Sequence, residues 1–158
     1  MKTVQIIAAI LFLFIHQNSF ASEEVVSDGQ QLYKTYCDAC HGVAGGMDMS
    51  KRIAPPAAAV RLHYKGKLKD RQAFIAAVVS WLEKPDANKS LMRGAINRFK
   101  LMPPLVVAKE DAEKIAAYLY DGDLESPEGF EQHVKEMHGK KGMGKKGMGN
   151  NKTDQESP

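Results

Sequence analysis

The sequence contains Cys37-Asp38-Ala39-Cys40-His41 once. It places two thiols two residues apart and an imidazole directly after the second thiol. On the last turn of a helix, two such thiols can add across the two vinyl groups of one haem. The imidazole then lies beneath the iron as its proximal ligand. The pentapeptide therefore has the form of a c-type haem attachment motif, with Cys37, Cys40 and His41 as the binding residues.

Two other interpretations of the cysteine pair are weaker. A thioredoxin-like redox pair lies at the strand-to-helix turn of a βαβ unit, and no strand pattern precedes Cys37. A zinc site needs a second pair of Cys or His ligands at a suitable spacing, and the sequence offers no such pair. Because the chain has 2 cysteines, haem attachment also leaves none for a disulfide.

Residues 1–21 have the composition of an export signal. Lys2 supplies the positive start, residues 4–15 form an apolar stretch, and Ser19-Phe20-Ala21 is a small-x-small cleavage site. The apolar stretch is shorter than a transmembrane helix requires. We expect cleavage after Ala21 and a periplasmic location, with an uncleaved anchor as the alternative.

The rest of the chain divides into a domain and a tail. Residues 22–130 suffice for one small domain with a thin core, and a covalent haem would supply the apolar centre that so small a domain lacks. Residues 131–158 are rich in Gly and Lys, and Lys-Lys-Gly-Met-Gly occurs twice, at 140–144 and 145–149. Few large apolar residues remain there, so we expect a disordered basic tail.

The apolar spacing predicts helices in the domain. Ser27 and Gln30 match a capping box, which would open a first helix from position 28 toward Cys40. Asp70 can cap a second helix, which Pro85 stops. The apolar face of that second helix would carry Phe74, Val78, Trp81 and Leu82.

Two further helices follow along the chain. Residues 90–99 form a weaker third pattern, and the acidic residues at 110, 111 and 113 open a fourth helix that Gly122 ends. No segment alternates as a strand does. The prediction is an all-α domain of four to five short helices around one covalently bound haem.

Over residues 27–122 the sequence resembles a class I, monohaem c-type cytochrome of the bacterial periplasmic type. In that family the haem helix crosses the C-terminal helix through a glycine and an aromatic residue. Gly29 and Tyr33 lie eight and four residues before Cys37, at the family's positions. Their partners would be Ile115 and Tyr118. The resemblance implies a cytochrome c-like fold and a role in electron transport.

The resemblance also implies a second iron ligand on the far side of the haem. The family places a methionine there, shortly before the C-terminal helix and commonly followed by proline, and Met102-Pro103 fits. A neutral thioether favours Fe(II) over Fe(III) and so raises the reduction potential. Met92, a bis-His site with His63, and an open site are the alternatives.

Further haem contacts follow from the resemblance and from the chemistry of the propionates. In the family, a proline carbonyl after the motif accepts a hydrogen bond from the proximal histidine, and Pro55 is preferred here over Pro56. Haem propionates need hydrogen-bond donors. Trp81, with Arg61 and Tyr64, is a candidate, although core packing accounts equally well for Trp81.

Charge is distributed unevenly along the chain. Residues 51–109 hold thirteen Lys and Arg against three acidic residues, whereas residues 110–131 hold eight acidic residues against one Lys. The charges could simply be solvated helix faces. Alternatively, a basic ring that includes Lys65, Lys67 and Lys69 could steer the haem edge toward the acidic docking face of a redox partner.

Other partners are less favoured. The basic stretch lacks the interleaved aromatic residues of a nucleic-acid site. The basic tail could make peripheral contact with an anionic membrane. Copper binding by its Met and His side chains is less favoured, because Gly and Lys spacers give no fixed geometry. We expect a monomer.

With His41 and Met102 on the two axial positions, iron has no open site for a substrate. We therefore expect a periplasmic carrier of single electrons between respiratory or dehydrogenase partners, and not an enzyme. One alternative is a dedicated haem subunit of a periplasmic oxidoreductase complex. The other is a haem-based ligand sensor or enzyme, should the distal site be open.

Overall fold

The computed structural model describes residues 23–143, and all the regular structure in this range is helical. Helix α1 includes residues 23–36, and α2 (Asp38–His41) is a single turn directly after it. A 3₁₀ turn, Met49–Lys51, lies in the long connection to α3 (Ala57–Lys67). Helices α4 (Arg71–Glu83), α5 (Arg93–Phe99), α6 (Lys109–Asp121) and α7 (Phe130–Met143) follow. The predicted all-α fold class is confirmed.

Helix α1 differs from its prediction at both ends. It already includes residue 23, so Ser27 lies within the helix and the predicted capping box is wrong. At the other end a turn at Cys37 separates α1 from α2, so the motif occupies a one-turn helix of its own.

Helices α1 and α6 cross at Gly29. A Cβ atom on Gly29 would lie 2.8 Å from the carbonyl carbon of Lys114 and 2.9 Å from Cβ of Tyr118, so the two backbones leave no room for a side chain. Beside this contact the rings of Tyr33 and Tyr118 pack with centroids 5.5 Å apart. Ile115 is fully buried. The predicted crossing is confirmed.

Helix α4 forms as its sequence predicts. The Asp70 carboxylate accepts hydrogen bonds from the backbone N–H groups of Gln72 and Ala73, which otherwise have no partner within the helix. Phe74, Val78 and Leu82 are buried, and they form much of the α4 surface that meets α6. Phe74 also packs edge-on against Tyr64 and Tyr120.

Helix α3 was not predicted from its sequence, and α6 holds it in place. The Arg61 guanidinium donates to the carbonyl oxygen of Leu119 at 2.7 Å, to that of Tyr118 at 3.4 Å, and to that of Gly122. These carbonyls belong to the end of α6, where backbone acceptors lack partners within the helix. Arg61 therefore caps α6 and ties it to α3.

The C-terminal part of the described chain is also helical. Helix α7 begins at Phe130 and crosses the predicted boundary between domain and tail. Its first turns consist mainly of good helix formers, and Gln132 donates to the Glu136 carboxylate across one turn at 3.0 Å. Glycine becomes frequent only from position 139.

None of the helices in residues 23–143 combines the length and the apolar composition that crossing a membrane requires. The predicted signal peptide, residues 1–21, and the second Lys-Lys-Gly-Met-Gly copy lie outside the described residues.

Candidate functional site

The two cysteines lie on either side of the turn that joins α1 to α2. The backbone N–H of Cys37 donates to Tyr33 at 2.8 Å, and Cys37 in turn accepts from the N–H groups of Cys40 and His41. Cys37 is buried and Cys40 is exposed, and both are free thiols. Burial raises the pKa of Cys37 to about 11, and the nearby Cys40 and Asp38 add to the shift. This turn presents two thiols and an imidazole within five residues.

His41 is oriented by the segment that precedes α3. Its Nδ1 lies 2.7 Å from the carbonyl oxygen of Pro55. Because a carbonyl can only accept, Nδ1 carries the proton and Nε2 keeps its lone pair for a metal. Burial lowers the pKa of His41, and the charge of Arg52 lowers it further, against the opposing effect of the Pro55 bond. The imidazole is therefore held neutral, as a metal ligand must be.

The loop between His41 and Pro55 is organised around Arg52, which the sequence analysis did not single out. The side chain is buried, and its guanidinium donates to four backbone carbonyls of the loop. Nε donates to Ala54 at 3.3 Å, and Nη1 donates to Ala44 at 2.7 Å and to Gly46 at 3.2 Å. Nη2 donates to Gly42. In the sequence, Arg52 is one of thirteen basic residues in a charged stretch, and nothing local marks it as buried.

A cavity of about 310 Å³ opens beside the motif, with walls from α1, α3, α4, α5, α6 and the segment before α6. This volume is at the lower end of the range for ligand pockets. Apolar side chains make up most of the wall. The structure brings the six predicted haem-binding residues to this wall: Cys37, Cys40, His41, Pro55, Trp81 and Met102.

Helix α5 and the extended segment 100–105 form another part of the cavity wall. Met102 is partly buried there and packs against the core. Met92, its predicted competitor, also lines the cavity, whereas His63 is exposed and is not part of the wall. Ile96 and Phe99 of α5 complete this side. Their spacing of three residues was a signal in the sequence that the helix has one cavity-facing side.

Only some of the candidates for propionate contacts line the cavity. Trp81 and Tyr64 line the cavity, but Arg61 does not, because its guanidinium is directed to the end of α6. The suggestion that Arg61 is a propionate donor is therefore wrong. Pro55, not Pro56, is the carbonyl that reaches His41.

The residues of the wall fit a haem. Two thiols at the motif spacing, a neutral imidazole with a free Nε2, and the Met102 thioether all line one largely apolar space. Carboxylate-rich metal sites are not an alternative, because no group of three or more His, Cys, Asp or Glu side chains in the described chain could hold a metal ion.

A family model matches residues 24–119, from the first turns of α1 to the last of α6, and it is described as cytochrome c oxidase, cbb3-type, subunit III. The chain belongs to this family of c-type cytochromes. The cytochrome is also 28% identical, over 122 residues, to an uncharacterized protein of Aquifex aeolicus (strain VF5). That alignment covers 65% of this chain and 78% of the relative. No solved structure matches the cytochrome.

Membership of this family assigns haem, iron and electron transport to the domain between α1 and α6. The cytochrome c-like fold implied by the resemblance is thereby confirmed. The individual ligands, the covalent attachment and the number of haems remain predictions.

Proposed function

We propose that the protein is an electron carrier with one haem c, bound by thioethers to Cys37 and Cys40 and ligated by His41 and Met102. The observation that carries this proposal is the convergence of these four side chains on one apolar cavity. When bound, the haem supplies an iron that gains and loses a single electron. Because His41 and Met102 would both be bound to the iron, no position would be left there for a substrate, so the proposal is a carrier and not an enzyme.

The chain contributes the environment of that iron. The Pro55 carbonyl fixes the tautomer and the orientation of the His41 ring through Nδ1. Met102 would present a neutral sulfur from the opposite wall, which favours the reduced state. The apolar wall would shield the haem from water, so less solvent would have to reorganise when the charge changes.

The partner would dock at α5. This helix lines the cavity with Ala95, Ile96 and Phe99, while Arg93 and Arg98 are exposed. The ring predicted at Lys65, Lys67 and Lys69 is less available. The Lys65 ammonium lies 3.8 Å from the centre of the Tyr120 ring, and Lys67 Nζ donates to the Leu91 carbonyl. We therefore place the contact with an acidic partner at Arg93 and Arg98.

The first test is the visible spectrum of the exported protein, oxidised and then reduced. We expect a sharp reduced c-type α band and, when oxidised, the weak long-wavelength sulfur-to-iron band. Met102→Ala should abolish the weak band and lower the reduction potential, whereas Met92→Ala, which alters the same cavity wall, should retain both. Loss of the band in Met92→Ala alone would reverse the assignment. Absence of haem from the wild-type protein would overturn the proposal.

The docking surface is tested by charge reversal. Arg93→Glu and Arg98→Glu should slow electron transfer to an acidic partner at low salt, and the difference should disappear at high salt. Lys109→Glu, the same change in net charge at the start of α6, should have little effect. Equal slowing by all three variants would mean that only net charge matters.

Export is part of the proposal. The signal at residues 1–21 would deliver the cytochrome to the periplasm, where cleavage would leave Ser22 as the first residue. The intact mass of the haem-loaded protein measures both the cleavage site and the addition of one haem.

A second candidate function follows from the description of the matching family, which names a subunit of an oxidase. The cytochrome would then be a dedicated haem subunit of a larger complex. Gel filtration of a native extract separates the two candidates: a free monomer supports the carrier, and a stable complex supports the subunit.

A further inference from the structure

Arg52 is a buried cation next to the residues that orient the proposed proximal ligand. Its residue surface is 8% exposed. The salt bridges within residues 23–143 involve other side chains, so no carboxylate in the described chain neutralises this charge. Burying a cation is costly unless its hydrogen bonds are satisfied, and here neutral carbonyls satisfy them.

The positions of these carbonyls connect Arg52 to the site. Gly42, the first acceptor, directly follows His41, and Ala54, the last, directly precedes Pro55. The Arg52 guanidinium therefore connects the beginning of the loop to its end. The same two ends are joined by the hydrogen bond between His41 and Pro55. The planar fork of an arginine suits this task, because its five donors diverge in fixed directions.

The charge itself has a consequence for the iron. Oxidised iron carries one more positive charge than reduced iron, and a fixed positive charge nearby disfavours the additional one. The interaction is strong where water is excluded, because the effective dielectric constant is then lower than in bulk water. The four carbonyl dipoles reduce this field but carry no net negative charge.

We propose that Arg52 is a positioning residue that holds the loop beneath His41 and, through its buried charge, raises the reduction potential of the cytochrome. This inference rests on the proposed function, in which His41 ligates the iron. Arg52 is not part of the cavity wall and acts through the loop and through its field.

The test compares the midpoint potentials of haem-loaded variants by redox titration. Arg52→Met and Arg52→Gln remove the charge, and we expect each to shift the reduction equilibrium about tenfold toward the oxidised state, about 59 mV for one electron. Arg52→Lys keeps the positive charge but loses the planar guanidinium that donates to four carbonyls. It should keep a potential near that of the wild type, although its unfolding midpoint falls.

Arg61→Met is the matched control. Arg61 is also a partly buried guanidinium that donates to backbone carbonyls, but at the end of α6. Its loss should lower stability and leave the potential unchanged. An equal shift in Arg61→Met would attribute the effect to general loosening of the fold and overturn the proposal.

The other possible results also test the proposal about Arg52. Unchanged or raised midpoint potentials in Arg52→Met and Arg52→Gln would overturn the proposal. A midpoint potential that falls as far in Arg52→Lys as in these neutral variants would overturn it as well. So would failure of the neutral variants to retain haem, because the role of Arg52 would then be folding. A wild-type protein without haem would instead overturn the proposed function.

Discussion

Among single residues, Gly29 has a role that no other amino acid can fill without moving a helix. The crossing of α1 and α6 brings a carbonyl carbon and a Cβ atom to within 3 Å of the position where a side chain would begin. Atoms of a helix backbone cannot yield as the end of a flexible side chain can. The need for glycine is therefore a matter of space and not of backbone conformation.

Gly29→Ala should lower the free energy of unfolding by about 1–3 kcal/mol, the usual cost of overpacking. Gly66→Ala is the control, because a Cβ there meets no atom within 4 Å. It should be neutral or slightly stabilising, since Ala is the better helix former. Denaturant unfolding of both haem-loaded variants measures the difference. A stability of Gly29→Ala equal to that of the wild type would contradict the close packing of the two helices.

Single residues also show the limits of prediction from this sequence. Gly29 and Tyr33 could be predicted because the family resemblance places each at a fixed offset from the Cys-x-x-Cys-His motif, whereas Pro55 could only be preferred over Pro56. Arg52 could not be, because its burial depends on four carbonyls that only the folded loop brings together. Arg61 was assigned to the wrong partner for a similar reason: the end of α6 is 58 residues away along the chain.

Among the helices, α4 is predictable because a cap and large buried residues coincide in its sequence, in Asp70 and in Phe74, Val78 and Leu82. Helix α3 lacks such a start signal. It follows two prolines without a side-chain cap, and two of its three buried residues are small alanines.

Removal of the α4 cap gives a test at this level. Asp70→Ala should cost about 0.5–2 kcal/mol of stability, and Asp70→Asn should recover most of it, because both Asp and Asn are good N-caps. Asp86→Ala is the matched control, since that carboxylate accepts from the Asn88 N–H in a turn and not at a helix start. Thermal unfolding of the three variants ranks them. Equal losses of stability in Asp70→Ala and Asp86→Ala would show that the helix cap contributes no more than an ordinary turn hydrogen bond.

For the molecule as a whole, buried tyrosines predict how stability depends on pH. Burial raises the pKa of Tyr33, Tyr64 and Tyr118 above the ordinary value of 10.0. The folded state therefore keeps these protons at a pH where the unfolded state has lost them. The contribution to stability is complete below about pH 10 and falls as pH rises from there toward the pKa values of the folded state.

We expect the free energy of unfolding of the haem-loaded protein to decline above pH 10. Tyr118→Phe should decline less steeply, because one titrating group has been removed and its neighbours remain. Denaturant titrations at a series of pH values from 8 upward give both slopes. Equal slopes in the variant and the wild type would mean that Tyr118 does not contribute.

The size of the domain leads to a prediction about the protein without haem. The cavity of about 310 Å³ is lined mainly by apolar side chains, and a domain this small has little other apolar area to bury. A Cys37→Ala/Cys40→Ala variant should therefore lack cooperative unfolding and near-ultraviolet circular dichroism. A cooperative transition at the wild-type temperature would show that the helices pack without the cofactor.

The segment that carries Met102 is held less firmly than the loop beneath His41. It begins at Lys100, whose φ of 70° and ψ of −179° place a side chain in a region that glycine alone occupies readily. Within the described chain, its backbone is joined to another part of the fold by the hydrogen bond from the Leu105 N–H to the Leu82 carbonyl, at 2.8 Å. Few backbone hydrogen bonds therefore oppose local opening of the Met102 segment. With a haem held as proposed at Cys37, Cys40 and His41, we expect small exogenous ligands to reach the iron by transient release of the Met102 segment.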